Sequence, residues 1–186
     1  QTHKYISTGK AENKFGIDYE ETMQVYERAS ALPHIQIKGI QMHIGSQLTT
    51  VSPFVEAVKR VIPLVKELQQ TYGIEFFSIG GGIGIVYEEA LASGPSNWWS
   101  EQENPPLSPD VYARELLPLL RGLKLKIVLE PGRYMSGNAG VLLTSCLYEK
   151  KGREKTFKIV DAGMNDLIRP ALYEGHHEIV PLLEHQ

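Results

Sequence analysis

One cysteine, Cys146, stands among 186 residues, so no internal disulfide can form and a disulfide-stapled fold is excluded. No run approaches the ~18 consecutive apolar residues of a membrane span, and Gln1–Lys14 holds no apolar signal core. A Lys/Arg-rich block is missing too. With 19 basic against 22 acidic side chains the formal net charge is -3, which offers no footprint for nucleic acid. Metal-ligand spacing is absent as well: His176-His177-Glu178 has neither a helical i,i+4 partner nor a cysteine, and no metal site is expected. Internal repeats and low-complexity tracts are lacking. What remains, 42% hydrophobic and 22% charged, is the composition of a cytoplasmic globular protein with one sizeable core. The chain opens without Met and stops at Leu183-Glu184-His185-Gln186 with no terminating signal, so it reads as a piece of something longer.

Along the chain, helical and strand-like segments alternate. Residues 1–17 are polar and read as a loop or frayed strand. Asp18, three residues before Glu21, has the spacing of a capping box, with Tyr19, Met23, Tyr26 and Ala29 following at helical spacing until Pro33 closes the helix. Ile35, Ile37 and Ile40 lead into a strand that ends in His43-Ile44-Gly45-Ser46-Gln47. Ser52-Pro53 reads as an N-cap with Pro at the first helical position. Phe54, Val58, Val61, Val65 and Leu68 form the apolar stripe, and Pro63 is expected to kink the helix. A second strand, Ile74–Ile79, runs into Gly80-Gly81-Gly82-Ile83-Gly84. Val86–Leu107, with Trp98-Trp99 in its middle, is a long excursion between elements. Ser108-Pro109 then starts a helix bearing Tyr112, Leu116, Leu119 and Leu120, followed by Lys126–Tyr134, expected to be a strand buried on both faces that ends in a Pro-Gly turn.

Alternation of this kind predicts a parallel sheet, and strands that are parallel neighbours would gather their polar ends at a single rim. Beyond Met135 the pattern changes. Ala139–Tyr148 and Thr156–Asp161 read as two strands of an antiparallel hairpin joined by a charged turn, with Cys146 inert in an apolar strand. A domain change is placed near Gly137.

The three strand ends carry the chemistry. Four glycines in five residues leave backbone N–H groups unshielded, able to converge on a phosphate-like anion, yet a sterically tight turn with no ligand would use the same residues. Neither the Walker pattern nor the dinucleotide spacing is present. His43 could stack on an aromatic ligand or move a proton, or it could be a structural residue. Glu130 and Arg133 would face the rim, and Arg133 and Arg169 suit bidentate contact with carboxylates. A rim carboxylate, a glycine turn, an imidazole and two arginines together suggest a phosphorylated heteroaromatic cofactor and an acidic substrate, which pyridoxal phosphate fits.

His43-Ile44-Gly45-Ser46-Gln47, Gly80-Gly81-Gly82-Ile83-Gly84, Glu130-Pro131-Gly132-Arg133 and the run Asp161–Tyr173 together resemble the diaminopimelate decarboxylases, from about Ile6 to Glu178. The glycine turn and Glu-Pro-Gly-Arg are shared with decarboxylases of ornithine, arginine or carboxynorspermidine type, and a non-catalytic pyridoxal-phosphate-binding homologue remains open. The resemblance implies an α/β fold: part of a (β/α)8 barrel of the TIM type over residues 1–137, then the start of a mostly antiparallel β domain over 138–186. It implies decarboxylation of meso-2,6-diaminopimelate to L-lysine, the last step of lysine biosynthesis, by a homodimer with shared active sites and pyridoxal 5'-phosphate as cofactor. His43 would stack on the cofactor ring, Ser46, Gly80, Gly81, Gly82 and the Gly132 amide would hold its phosphate, and Glu130 would meet the pyridine nitrogen. Arg133, placed at the cofactor, would with Arg169 and Tyr173 bind the substrate's distal amino-acid end. The family's Schiff-base lysine and proton-donating cysteine match no residue of this chain, since Lys14 falls at a different family position. The fragment alone is therefore expected to be inactive and poorly soluble.

Overall fold

A computed structural model describes residues 15–87 and 107–182. The expectations for residues 1–14 and for most of the 86–107 excursion, Trp98-Trp99 included, lie outside the described residues. The chain divides into two compact units, Gln1–Ile85 with Glu103–Met135, and Val86–Gln102 with Ser136–Gln186.

In the first unit, helix and strand alternate as α1 (Thr22–Ser30), β1 (Gly39–Gln41), α2 (Ser52–Tyr72), β2 (Phe76–Ser78), α3 (Pro109–Leu120), β3 (Lys126–Val128) and α4 (Gly132–Ser136). The three strands form one parallel sheet in the order β1-β2-β3, with Gly39, Phe76 and Lys126 in register and Gln41, Ser78 and Val128 in register. The alternating pattern thus yields the parallel sheet it predicts, because α2 and α3 return the chain to the same starting edge. Equal register also brings the C-terminal ends of all three strands to one level. The ladder runs on past the strands, with the Met42 amide donating to Ser78 O and that of Ile79 to Val128 O, both at 3.0 Å.

The core is the apolar stripe of α2 laid on the sheet and on α3. Phe54, Val58, Val65 and Leu68 are fully buried, as is Phe77 from β2, while Tyr112, Leu116 and Leu120 close the layer from α3. Phe54 meets Tyr112 edge to face, ring centroids 5.0 Å apart at 80°. Gly73 ends α2 in the left-handed region, φ 64°, its amide donating to Gln69 O.

Several local expectations are corrected. Asp18 does not cap α1: Glu21 precedes the first helical residue and makes no side-chain cap bond, whereas the Asp18 carboxylate accepts from the Glu20 amide at 2.9 Å one turn earlier. Ser52 is itself helical behind Val51, and again no side chain caps. Both cap positions are already right-handed helical in φ and ψ, which withdraws the extended geometry a capping side chain needs. Ser108 has that geometry, φ -83° and ψ 154°, and accepts from the Val111 amide as expected. β3 is not buried on both faces: it is the outer strand among the described residues, with Lys126 exposed and Ile127 and Val128 only half-buried. Gly132 opens α4 rather than a Pro-Gly turn.

The second unit holds an antiparallel hairpin, β4 (Cys146–Lys151) and β5 (Thr156–Val160), and α5 (Arg169–Tyr173). The hairpin was expected, but its first strand starts at Cys146 rather than Ala139, and the cysteine is exposed. Asp161 follows β5 and takes the Thr144 hydroxyl at 2.6 Å and the Ser145 amide at 2.8 Å on one oxygen. Among the described residues no helix is long and apolar enough to cross a membrane.

Phe77→Ala, at a fully buried site, should cost about 3–5 kcal/mol in the intact polypeptide, read from the shift of its chemical denaturation midpoint. A second expectation concerns Asp161, whose carboxyl is held below its ordinary value by the Thr144 hydroxyl first and the Ser145 amide second. A depressed folded-state pKa gives stability that is present above the unfolded value and lost as pH falls through the folded one. Thr144→Val should raise the Asp161 pKa in an NMR titration and move loss of hairpin order to higher pH.

Candidate functional site

Beyond their last paired residues the three strands continue as loops that are zipped together. The Glu130 amide donates to Gly80 O, the Leu48 amide to Gly82 O and the Gly84 amide to Leu48 O, each at 2.9 Å. His43, Ser46, Gly80 to Gly82, Glu130, Gly132 and Arg133 therefore belong to one rim of the first unit. Arg169 and Tyr173 belong to α5 of the second unit.

The zipping needs glycine. A Cβ on Gly80 would stand 2.2 Å from Met42 O, one on Gly81 2.0 Å from Glu130 O, and one on Gly82 2.1 Å from Gly45 O. Gly80 and Gly82 also take positive φ, 72° and 103°. The imidazole of His43, an exposed residue, lies against this turn, its Nδ1 3.3 Å from where the Gly80 Cβ would be. Gly81 is buried, and its amide and that of Gly82 have no acceptor among the described residues. The Gly132 amide differs, donating to Glu130 O at 2.9 Å.

Two polar side chains outside the predicted set organise the rim. Ser78, 2% exposed, donates its hydroxyl to Glu130 Oε1 at 2.6 Å and accepts the Gly80 amide at 3.2 Å. Gln47, at φ 61°, pairs its side-chain amide with both backbone groups of Ile85, at 2.6 and 3.2 Å. Its Oε1 also accepts from Arg133 Nη1 at 3.3 Å, so one glutamine ties the ends of β1, β2 and β3. In the second unit, Arg169 lies 5.3 Å from the Tyr87 ring centroid and donates to its hydroxyl at 3.2 Å. Ser78 had a readable signal: a lone hydroxyl in Phe76-Phe77-Ser78-Ile79, on a buried strand, has to find a partner. Gln47 and Tyr87 had none, because their partners lie far along the chain. Among the described residues no group of three or more His, Cys, Asp or Glu could hold a metal ion.

A family model described as the pyridoxal-binding domain of pyridoxal-dependent decarboxylases matches residues 1–137. The chain is 44% identical over 183 residues to the diaminopimelate decarboxylase of Aquifex aeolicus, covering 98% of this chain and 40% of that protein. With the enzyme of that name from Pseudomonas aeruginosa it shares 46% over 180 residues, covering 96% and 40%. The crystal structure of Helicobacter pylori diaminopimelate decarboxylase complexed with L-lysine superposes with a TM-score of 0.80 at 39% identity, covering 96% of this chain and 41% of that one. The chain thus spans 40% of the length of these curated relatives.

Gly81→Ala should be destabilising by about 1–3 kcal/mol, since Glu130 O has to move to admit a methyl group. Gly132→Ala, with nothing within 4 Å of the added carbon, should stay within about 0.5 kcal/mol. Thermal unfolding of the two variants side by side checks the contrast.

Proposed function

The chain belongs to the pyridoxal-dependent decarboxylases, and on that premise we propose that the polypeptide carrying it converts meso-2,6-diaminopimelate to L-lysine with pyridoxal 5'-phosphate. The observation that carries the reading is the donor set of the rim. It holds a carboxylate, Glu130, whose Oε2 has no hydrogen-bond partner among the described residues, beside a buried Gly81 amide lacking an acceptor. A ring with a basic nitrogen and an anionic substituent fits those two groups. The likeness to proteins named diaminopimelate decarboxylase, one of them holding L-lysine, supports the choice of substrate.

When bound, the cofactor supplies an electron sink for the pair left behind as the carboxylate departs. The residues of this chain bind and orient. Glu130 keeps a proton on the pyridine nitrogen, which holds the ring electron-poor. His43 would stack on the ring, and Ser46 with the amides of Gly81 and Gly82 would hold the phosphate, those of Gly80 and Gly132 being already bonded to Ser78 Oγ and Glu130 O. Arg133, kept in place by Gln47, neutralises negative charge of cofactor and substrate, and Arg169 with Tyr173 grips the distal amino-acid end of the substrate.

We place residues 1–137 in part of a (β/α)8 barrel and residues 138–186 at the start of a β domain, in a cytoplasmic homodimer with shared active sites. The imine-forming lysine and the proton donor are assigned to no residue of this chain, so the 186 residues alone should be catalytically silent.

The test is turnover. Expressed at the length of its relatives and loaded with pyridoxal phosphate, the protein should release lysine from meso-diaminopimelate, and turnover of ornithine or arginine in its place would overturn the assignment. Arg133→Ala should raise KM for substrate more than the cofactor's Kd, because truncation leaves a carboxylate unpaired at about 2–5 kcal/mol.

A further inference from the structure

We infer that Ser78 is a positioning residue that decides which atom of the Glu130 side chain meets the pyridine nitrogen. The inference rests on the reading that Glu130 faces that nitrogen, and deepens it.

A hydroxyl has one proton and two lone pairs. Ser78 is 2% exposed, so water does not satisfy it and both functions have to be met inside the protein. The Gly80 amide, which can only donate, occupies a lone pair at 3.2 Å. The single proton then has one acceptor among the described residues, Glu130 Oε1 at 2.6 Å, a length typical of a hydroxyl bonded to an ionised carboxylate. The direction of the bond is therefore fixed. Oε1 accepts from Ser78, and Oε2 is left for a ligand.

The sheet explains why these two residues meet. Ser78 pairs in register with Val128, and Glu130 lies two residues further on, the same side of the strand by the alternation of side chains. The Glu130 amide bonded to Gly80 O, at 2.9 Å, holds the backbone of the same residue. An exposed glutamate would ordinarily swing through several rotamers in water. Here its backbone and one carboxylate oxygen are both tied to the end of β2.

Glutamine in place of Glu130 exposes the role, because its two side-chain atoms are chemically distinct. Ser78 donates, so the amide oxygen has to take the Oε1 position, and the NH2 group, a donor, is turned toward the pyridine nitrogen. A nitrogen facing a donor cannot keep its proton. Without the Ser78 hydroxyl the amide is free to turn its oxygen inward and accept from a protonated ring.

The experiment uses the polypeptide at the length of its relatives, loaded with pyridoxal phosphate carrying nitrogen-15 in the ring, and reads the protonation midpoint of that nitrogen by NMR. Glu130→Gln should lower the midpoint relative to wild type. Adding Ser78→Ala to Glu130→Gln should raise it again, by about one pH unit, as an acceptor replaces a donor at the nitrogen. Ser78→Cys, similar in size and a much weaker donor, should move the midpoint in the same direction and serves if alanine costs the fold. A serine that merely satisfied the core would leave the midpoint of the Gln variant unchanged on removal. An unchanged midpoint in both double variants overturns the inference, whereas no difference between Glu130→Gln and wild type overturns the placement of Glu130 at the nitrogen.

Discussion

Three carbonyl oxygens, of Met42, Glu130 and Gly45, stand where Cβ atoms of Gly80, Gly81 and Gly82 would be, at 2.2, 2.0 and 2.1 Å. Every other contact of the rim presupposes that backbone meets backbone there with no side chain between. The approach lets Gly80 O and Gly82 O accept from the loops after β3 and β1, and those bonds bring Glu130 within reach of Ser78 and place Gln47 beside Ile85. Real Cβ contacts do not reach such distances, so any larger residue has to push neighbouring strand ends away from each other. The glycines are thus an architectural demand before they are a chemical one.

The stripe of α2 was legible because helical period and burial coincide: Phe54, Val58, Val65 and Leu68 lie on one face and are all fully buried. The parallel sheet followed from alternation, since two crossover helices leave few other topologies. Helix starts were less legible. Ser108-Pro109 and Ser52-Pro53 are the same dipeptide, yet only Ser108 caps, because it is extended while Val51, before Ser52, is already right-handed helical. Residue type states which side chain could cap, and the entering backbone decides whether it does. The exposure of β3 was unreadable for a related reason. Lys126–Val128 has the composition of a central strand, but burial depends on what pairs with its far edge, and nothing does among the described residues.

The rim shows the same division. Residues already at strand ends, His43, the glycines, Glu130 and Arg133, could be named from pattern alone. What could not be named are the residues that hold them, because Ser78 reaches 52 residues to Glu130, Gln47 reaches 86 to Arg133, and Tyr87 lies 82 from Arg169. Periodicity reports which face a residue occupies and carries nothing about a partner that far along the chain. Gln47 adds a backbone sign invisible in sequence, a positive φ at a residue other than glycine, a strain that persists where surrounding contacts enforce it. Three hydrogen bonds from one side chain supply that enforcement.

A glycine run admits two readings, a tight turn or a cradle for an anion, and at this rim the two are compatible, because the tight turn itself leaves amides without acceptors. Close approach commits four polar backbone groups of the turn: Gly80 N to Ser78, Gly80 O to Glu130, Gly82 O to Leu48, Gly84 N to Leu48. The amides of Gly81 and Gly82 have no acceptor among the described residues, and Gly81 is buried. A buried donor without an acceptor costs about 1–3 kcal/mol. That cost is borne in the folded state and is returned by any acceptor that enters, and an anion returns the most because charge-assisted bonds are roughly twice as strong as neutral ones. Packing therefore leaves unmet donors at this end of β2, where an entering acceptor would recover that cost and an anionic one would recover most.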